Sequence, residues 1–123
     1  FSFDIVKWYL PGPFTFVLKA RKIIPKLLMT DRKEVGVRIP SHPVPVGITN
    51  LCGRPIINTS ARIAGGDIIS DPRQIEKTFG KNVSLIVDGG ILGGLPSTVV
   101  RLADDTVEVL REGKGALSDR FSG

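Results

Sequence analysis

The chain has 123 residues, 41% of them hydrophobic and 24% charged, the proportions of an ordinary globular protein rather than of a disordered or fibrous one. That length can bury one core but not two, and no apolar run reaches the roughly 18 residues of a membrane span, so no membrane association is expected. The one cysteine, Cys52, excludes an internal disulfide and fits a reducing compartment, the cytoplasm; a net charge of +5 suits RNA or an anionic ligand such as a nucleotide, although the scattered cations of many domains are only a solvated surface.

Phe1, Ile5 and Trp8 fall near helical spacing, and Pro11-Gly12-Pro13 stops the helix. Asp4 and Lys7 inside this stretch argue against a secretory signal. A chain that opens in mid-pattern is expected to be preceded by more sequence in its parent. Residues 14–20 predict a strand buried on both faces, and 25–29 a short helix with Pro25 in its first turn. Over 34–39, Val35, Val37 and Ile39 alternate with Glu34, Gly36 and Arg38, a strand with one apolar and one polar face that Pro40 ends. A modest helix is predicted over 43–51 and a strand over 55–60, which runs into Asn58-Thr59-Ser60.

The clearest local signal starts at Asp71. Asp71 can cap a helix, Pro72 suits its first position, Gln74 has the capping-box spacing, and Gly80 closes it. Ile75 and Phe79 weight one face. A short strand over 84–87 precedes the glycine-rich 89–94, and 97–102 with 106–110 read as a hairpin around Asp104-Asp105. Strands alternating with short helices imply an α/β fold, a twisted mixed open sheet with helices packed on it. Residues 1–117 are expected to form one domain, incomplete at its N-terminal side, and 118–123 a tail.

Few residues suggest chemistry by themselves. Arg38, on the polar face beside Gly36, could grip a carboxylate or phosphate bidentately; the pattern alone more often means a surface arginine. Asn58-Thr59-Ser60, with Ala64-Gly65-Gly66 after it, offers hydroxyls and backbone N–H groups where a strand gives way to a loop, as does ordinary turn chemistry. The glycines of 89–94 match neither GxGxxG nor GxxxxGK[ST], so a dinucleotide fold or P-loop is not supported. Ser97 opens a strand and Arg111 ends one. Cys52 has no CxxC partner and His42 stands alone, which rejects a zinc site. Cys52 reads as a small buried residue at a helix end and His42 as a turn or rim residue; no side-chain nucleophile is proposed.

Five stretches in order carry a resemblance: Tyr9-Leu10-Pro11-Gly12-Pro13-Phe14-Thr15-Phe16-Val17-Leu18, Val35-Gly36-Val37-Arg38-Ile39-Pro40, Pro55-Ile56-Ile57-Asn58-Thr59-Ser60-Ala61, Pro96-Ser97-Thr98-Val99-Val100 and Val109-Leu110-Arg111-Glu112-Gly113. Together they resemble the YrdC family over nearly the whole chain. The resemblance implies a twisted α/β sheet with a concave basic surface. It also implies a nucleotidyltransferase that joins L-threonine, bicarbonate and ATP, with Mg2+ on the triphosphate, into threonylcarbamoyl-AMP for the t6A modification of tRNA. By resemblance, Arg38 would hold the threonine carboxylate, with Asn58 and Ser97 as further threonine contacts; Ser60 would meet the nucleotide and Arg111 the ATP phosphates. Such chemistry needs positioning and charge neutralisation more than a nucleophile.

Two departures bear on activity. Ser60-Ala61-Arg62 carries a cation where the family has an amide, and Glu34 puts a carboxylate where a threonine commonly approaches the nucleotide, which would repel phosphate. With the Arg111-Glu112-Gly113-Lys114-Gly115 ending, these are similar to the YciO branch, whose implied role is binding double-stranded RNA or tRNA without making the adenylate. A third reading is the carbamoyl-transfer module of hydrogenase maturation, which has the same fold. The family's N-terminal segment, with a Lys/Arg-rich nucleotide motif, is absent from the sequence, and the edges left uncovered invite homo-oligomerisation.

Overall fold

The computed structural model describes residues 2–21, 24–28 and 30–118, with Leu27 described by its backbone alone. It divides into two units, Phe1–Arg54 with Pro96–Gly123, and Pro55–Leu95.

In the first unit, helix α1 (Ser2–Tyr9) buries Ile5 and ends at Leu10-Pro11, a cis peptide bond. The backbone N–H of Gly12 then donates to the carbonyl of Ile39 at 2.8 Å, so the Pro-Gly-Pro break ties the helix exit to the strand region. Strand β1 (Phe14–Lys19) is followed by a single 3-10 turn, Lys26–Leu28, and by β2 (Glu34–Val37). After helix α2 (Pro43–Cys52), strands β3 (Thr98–Ala103) and β4 (Thr106–Arg111) complete a sheet of order β2-β1-β3-β4. The central pair β1 and β3 is parallel, and both outer pairs are antiparallel.

Alternation assigns the two faces of this sheet. Phe14, Phe16, Thr98, Val100 and Leu102 are buried on one face, where Ile5, Leu10, Val6, Tyr9, Leu18, Val107 and Leu117 pack with them. The rings of Tyr9 and Phe14 lie 4.6 Å apart at 52°, and those of Phe14 and Phe16 5.9 Å apart at 17°, within the range where aromatic pairs attract beyond simple burial. The other face carries Thr15, Val17, Lys19, Glu34, Gly36, Ser97, Val99, Arg101, Glu108 and Arg111. The hydroxyl of Thr98, buried at 2% exposure, accepts from the backbone N–H groups of Gly113 and Gly115, each at 3.0 Å. This fastens the segment after β4 under the sheet. Gly115 lies flat on the Phe14 ring, and Gly113 lies against the backbone of Pro96 and Ser97, so a side chain at either position would overlap atoms already there.

The second unit contains helix α3 (Pro72–Phe79). Asp71 caps it as expected, accepting from the backbone N–H of Arg73 at 2.9 Å, and Gly80 closes it in right-handed rather than left-handed conformation. Beside it, Ile69 donates to the carbonyl of Ala61 at 2.8 Å.

The sheet and its packed helix bear out the mixed α/β expectation. Several local expectations change. β1 is not buried on both faces: Thr15 and Val17 are only half-buried and Lys19 is exposed. On β2 burial does not follow the two sets, Gly36 and Arg38 being exposed along with the apolar residues at 37 and 39. Val37 is 37% and Ile39 43% accessible, whereas Glu34 is 7%, because Glu34 lies over the sheet with a cationic partner while Val37 occupies an edge. The helix expected at 25–29 is the 3-10 turn, Met29 lying outside the described residues. The strands expected at 55–60 and 84–87 do not form. Their β-prone side chains say nothing about a partner, and a strand exists only where its backbone groups are paired; among the described residues no strand pairs with either segment. Ser118, expected as the start of a tail, donates its N–H to the Tyr9 hydroxyl at 2.9 Å, and 119–123 lie outside the described residues. Among the described residues no helix is long and apolar enough to cross a membrane.

A candidate anion site on the sheet

The second face of the sheet ends in a polar row at the start of the parallel pair. Thr15 is the second residue of β1, and Ser97 directly precedes β3, beside the register pair of Phe14 with Thr98. Their hydroxyl oxygens are 2.7 Å apart, with either able to donate. Arg111 closes β4 opposite Val99. Its Nη2 donates to the Ser97 carbonyl at 2.8 Å and reaches the Ser97 hydroxyl at 3.4 Å, while Nε reaches the same carbonyl at 3.3 Å. On the far side, Arg38 follows the last residue of β2. Phe16 pairs with Val37, the last pair of that ladder, so Arg38 lies just beyond it, next to the start of β1.

Thr15 of β1 and Arg111 of β4, with Ser97 just before β3 and Arg38 just after β2, thus form one polar row, an arginine at each end and two hydroxyls between. Ser97 is 6% exposed, and Arg38 and Arg111 are both exposed. Among the described residues, neither arginine has a carboxylate partner. An unpaired guanidinium presents its planar donors to carboxylate or phosphate. A β-carbon at Gly36 would come 3.4 Å from Cγ2 of Thr15, an ordinary contact with that methyl group.

The opposite end of the same face is charge-neutralised internally. Arg101 of β3 donates from Nη1 to Oε2 of Glu108 on β4 at 2.7 Å. Its Nε lies 3.2 Å from Oε1 of Glu34 on β2, close enough for an ion pair but without hydrogen-bond alignment, and it has no other partner. Lys19 and Asp104 pair at 2.6 Å, and the Asp104 carboxylate holds the lysine above its ordinary range. The Glu34 carboxylate, expected to repel a phosphate, is therefore drawn into the sheet by Arg101.

Of the residues singled out from the sequence, Ser97 and Arg111 are in direct contact, and Arg38 shares their row. Asn58 and Ser60 belong to the second unit, exposed and outside regular secondary structure. His42 is the N-cap of α2, its Nδ1 accepting from the backbone N–H of Val44 at 3.2 Å, and so serves the turn. Cys52 was expected to be buried and is exposed, because α2 buries none of its residues and its end meets no core. Among the described residues no group of three His, Cys, Asp or Glu side chains is placed to hold a metal. Thr15 and Arg101 were missed. A threonine between two phenylalanines is the alternation that should have marked Thr15 as facing away from the core. Arg101 has the same signature between Val100 and Leu102.

Fold and site define a class: an α/β protein whose mixed sheet packs a helix on one face and carries an arginine-flanked polar row on the other. A family model described as telomere recombination, that of Sua5, YciO and YrdC, matches residues 2–113, and the chain belongs to this family. It is 41% identical to the Escherichia coli uncharacterized protein YciO over 116 residues, 93% of this chain and 56% of that protein. The crystal structure of E. coli YciO superposes with a TM-score of 0.89 at 39% identity, covering 98% of this chain and 59% of that one. A threonylcarbamoyl-AMP synthase of Pyrococcus abyssi is 31% identical over 110 residues, 89% of this chain and 32% of that protein. The structure of P. abyssi Sua5 complexed with L-threonine superposes with a TM-score of 0.83 at 30% identity, covering 91% and 33%. The chain thus spans little more than half the length of the YciO relative and about a third of the synthase.

Proposed function

We propose that this chain forms one wall of a threonylcarbamoyl-AMP synthase-like site of tRNA modification, in the cytoplasm. The observation that carries the reading is the row Arg38–Thr15–Ser97–Arg111, with two unpaired arginines flanking two hydroxyls. It suits a ligand with a carboxylate at one end and phosphates at the other. The relative solved with L-threonine supports the amino-acid half.

In this reading Arg38 holds the threonine carboxylate, with Ser97 as a further amino-acid contact. Arg111 faces the ATP phosphates. The threonine amine takes up bicarbonate to give a carbamate with loss of water. A carbamate oxygen then bonds to the α-phosphorus as the bond to the pyrophosphate oxygen breaks. The guanidinium of Arg111, already anchored on the Ser97 carbonyl, offers fixed positive charge where charge builds up, and fixed charge needs no reorganisation during reaction. Mg2+ would arrive on the triphosphate and assist departure of pyrophosphate.

Titration calorimetry of L-threonine and of ATP with the chain and with Arg38→Ala tests this reading. Loss of a charge-assisted, two-point contact is expected to weaken threonine by about 2–3 kcal/mol and ATP much less. Equal weakening of both ligands, or none, would remove Arg38 from the role.

A specific observation favours a second reading, an RNA-binding module without turnover. Six of the seventeen basic residues and only one of the twelve acidic ones fall between Lys19 and Lys33, an excess that equals the net charge of the whole chain. Arg21, Lys26, Arg32 and Lys33 in this β1–β2 connection are exposed, which suits contact with a phosphate backbone. Salt-sensitive binding of double-stranded RNA or tRNA, without pyrophosphate release from ATP in the presence of threonine and bicarbonate, would favour it.

A further inference from the structure

Arg101 is the one side chain among the described residues that meets two carboxylates. It belongs to β3, and its guanidinium meets Glu108 on β4 at 2.7 Å and Glu34 on β2 at 3.2 Å. In the order β2-β1-β3-β4, reaching Glu34 means spanning β1. One side chain therefore touches or crosses all four strands. It is well shielded, at 18% side-chain exposure against 9% for Glu34 and 57% for Glu108, so water screens the inner pair less than the outer one.

What this pair restrains is β2. That strand is four residues long and lies at the sheet edge, with β1 as its one strand partner among the described residues. Its second-face residues are Glu34 and Gly36, and Arg38 continues the same alternation just beyond it. Glu34 is anchored at one end by Arg101, and its backbone N–H also donates to the Thr30 hydroxyl at 3.2 Å. At the other end the Ile39 carbonyl is held by Gly12 at 2.8 Å. Arg38 itself has no partner among the described residues, so its aim depends on how firmly this short edge strand is held.

We propose that Arg101 is a positioning residue for Arg38. By gripping Glu34 across β1 it fixes the register and tilt of the edge strand that presents the anion-binding guanidinium. The effect travels through the strand, four residues of which separate Glu34 from Arg38 by roughly 13 Å. The proposal rests on the reading of Arg38 as a ligand contact, and its test separates the two.

The test compares the chain with Arg101→Met, Glu34→Gln and the Glu34→Gln/Arg101→Met pair, by amide hydrogen exchange well below the unfolding transition. The double variant leaves no buried carboxylate unpaired, and Glu34→Gln alone is the mildest cut should Arg101→Met not fold. The expected result is a protection loss at Val35 and Val37, whose N–H groups face β1, at least tenfold larger than at Val99 and Val100. Alongside, L-threonine affinity should fall about tenfold in a folded variant, with partial recovery in Arg101→Lys. Equal loss of protection in β2 and β3, or unchanged protection in β2, would reduce Arg101 to a general stabiliser and overturn the proposal. If wild-type chain fails to bind L-threonine, the proposed function loses its support while the exchange pattern still decides the role of Arg101.

Discussion

At the scale of single residues, the best-placed side chains are those that join segments far apart in sequence. Thr98 is one. Its hydroxyl accepts two backbone N–H groups and donates to the Gly115 carbonyl, and Thr98→Val would leave those part-buried groups unmatched. Each lost buried partner costs about 1–3 kcal/mol, so denaturant unfolding should show a loss in that range. Gly115→Ala should be at least as damaging, because the new methyl would press on the Phe14 ring from the Gly115 backbone; overpacking of this kind costs about 1–3 kcal/mol. This also explains part of the Arg111-Glu112-Gly113-Lys114-Gly115 ending. Its glycines are sites of close packing, which sequence alone showed only as small residues near a strand end. Glu34 gives the opposite lesson. As a letter in a strand it read as a polar-face carboxylate hostile to phosphate, and nothing local to it announced a guanidinium 67 residues later in the chain (positions 34 and 101).

At the scale of elements, what was legible in the sequence was what is decided locally. The break after α1, the cap and first proline of α3, and the β3–β4 hairpin each depend on residues within one or two turns. The hairpin shows the price of its own turn: Asp104 and Asp105 both have left-handed backbone, φ 49° and 58°. This is a two-residue turn of the kind that favours glycine at its second position. Asp105→Gly should therefore raise stability by about 0.5–1 kcal/mol, seen as a higher midpoint in thermal unfolding. For α3, the backbone N–H of Arg73 holds the Asp71 carboxyl below its usual range. A lowered folded value means that the cap contributes fully above the unfolded carboxylate value, about 3.9, and is lost as pH falls through the folded value. Amide protection over 73–79 should decline in that acid window, and Asp71→Asn, which keeps the capping oxygen without the charge, should abolish the decline. The expected strands at 55–60 and 84–87 failed for the converse reason: pairing is not a local property.

At the scale of the whole molecule, fold class and family could be read from ordered motifs, and three of the five candidate site residues lie in one row. Asn58 and Ser60 belong to the other unit. Charge was legible in amount but not in place, since a total of +5 does not reveal that the stretch from Lys19 to Lys33 carries an excess of the same size. If RNA is the partner, a triple Arg21→Gln, Lys26→Gln, Arg32→Gln variant should lower the slope of log affinity against log salt by roughly 2–3, close to one unit per phosphate contact. An unchanged slope would move the nucleic-acid surface elsewhere.

The pairing of β1 with β3 has a further consequence in time. Thr15 and Ser97 are 82 residues apart in the chain, and ribosomes add roughly 5–20 residues per second. During synthesis β1 therefore waits about 4–16 seconds, with Phe14 and Phe16 made but their parallel neighbour not yet translated. Throughout that interval the polar row does not exist, and the apolar face that will be its foundation is open to chaperones, or to another nascent copy of itself.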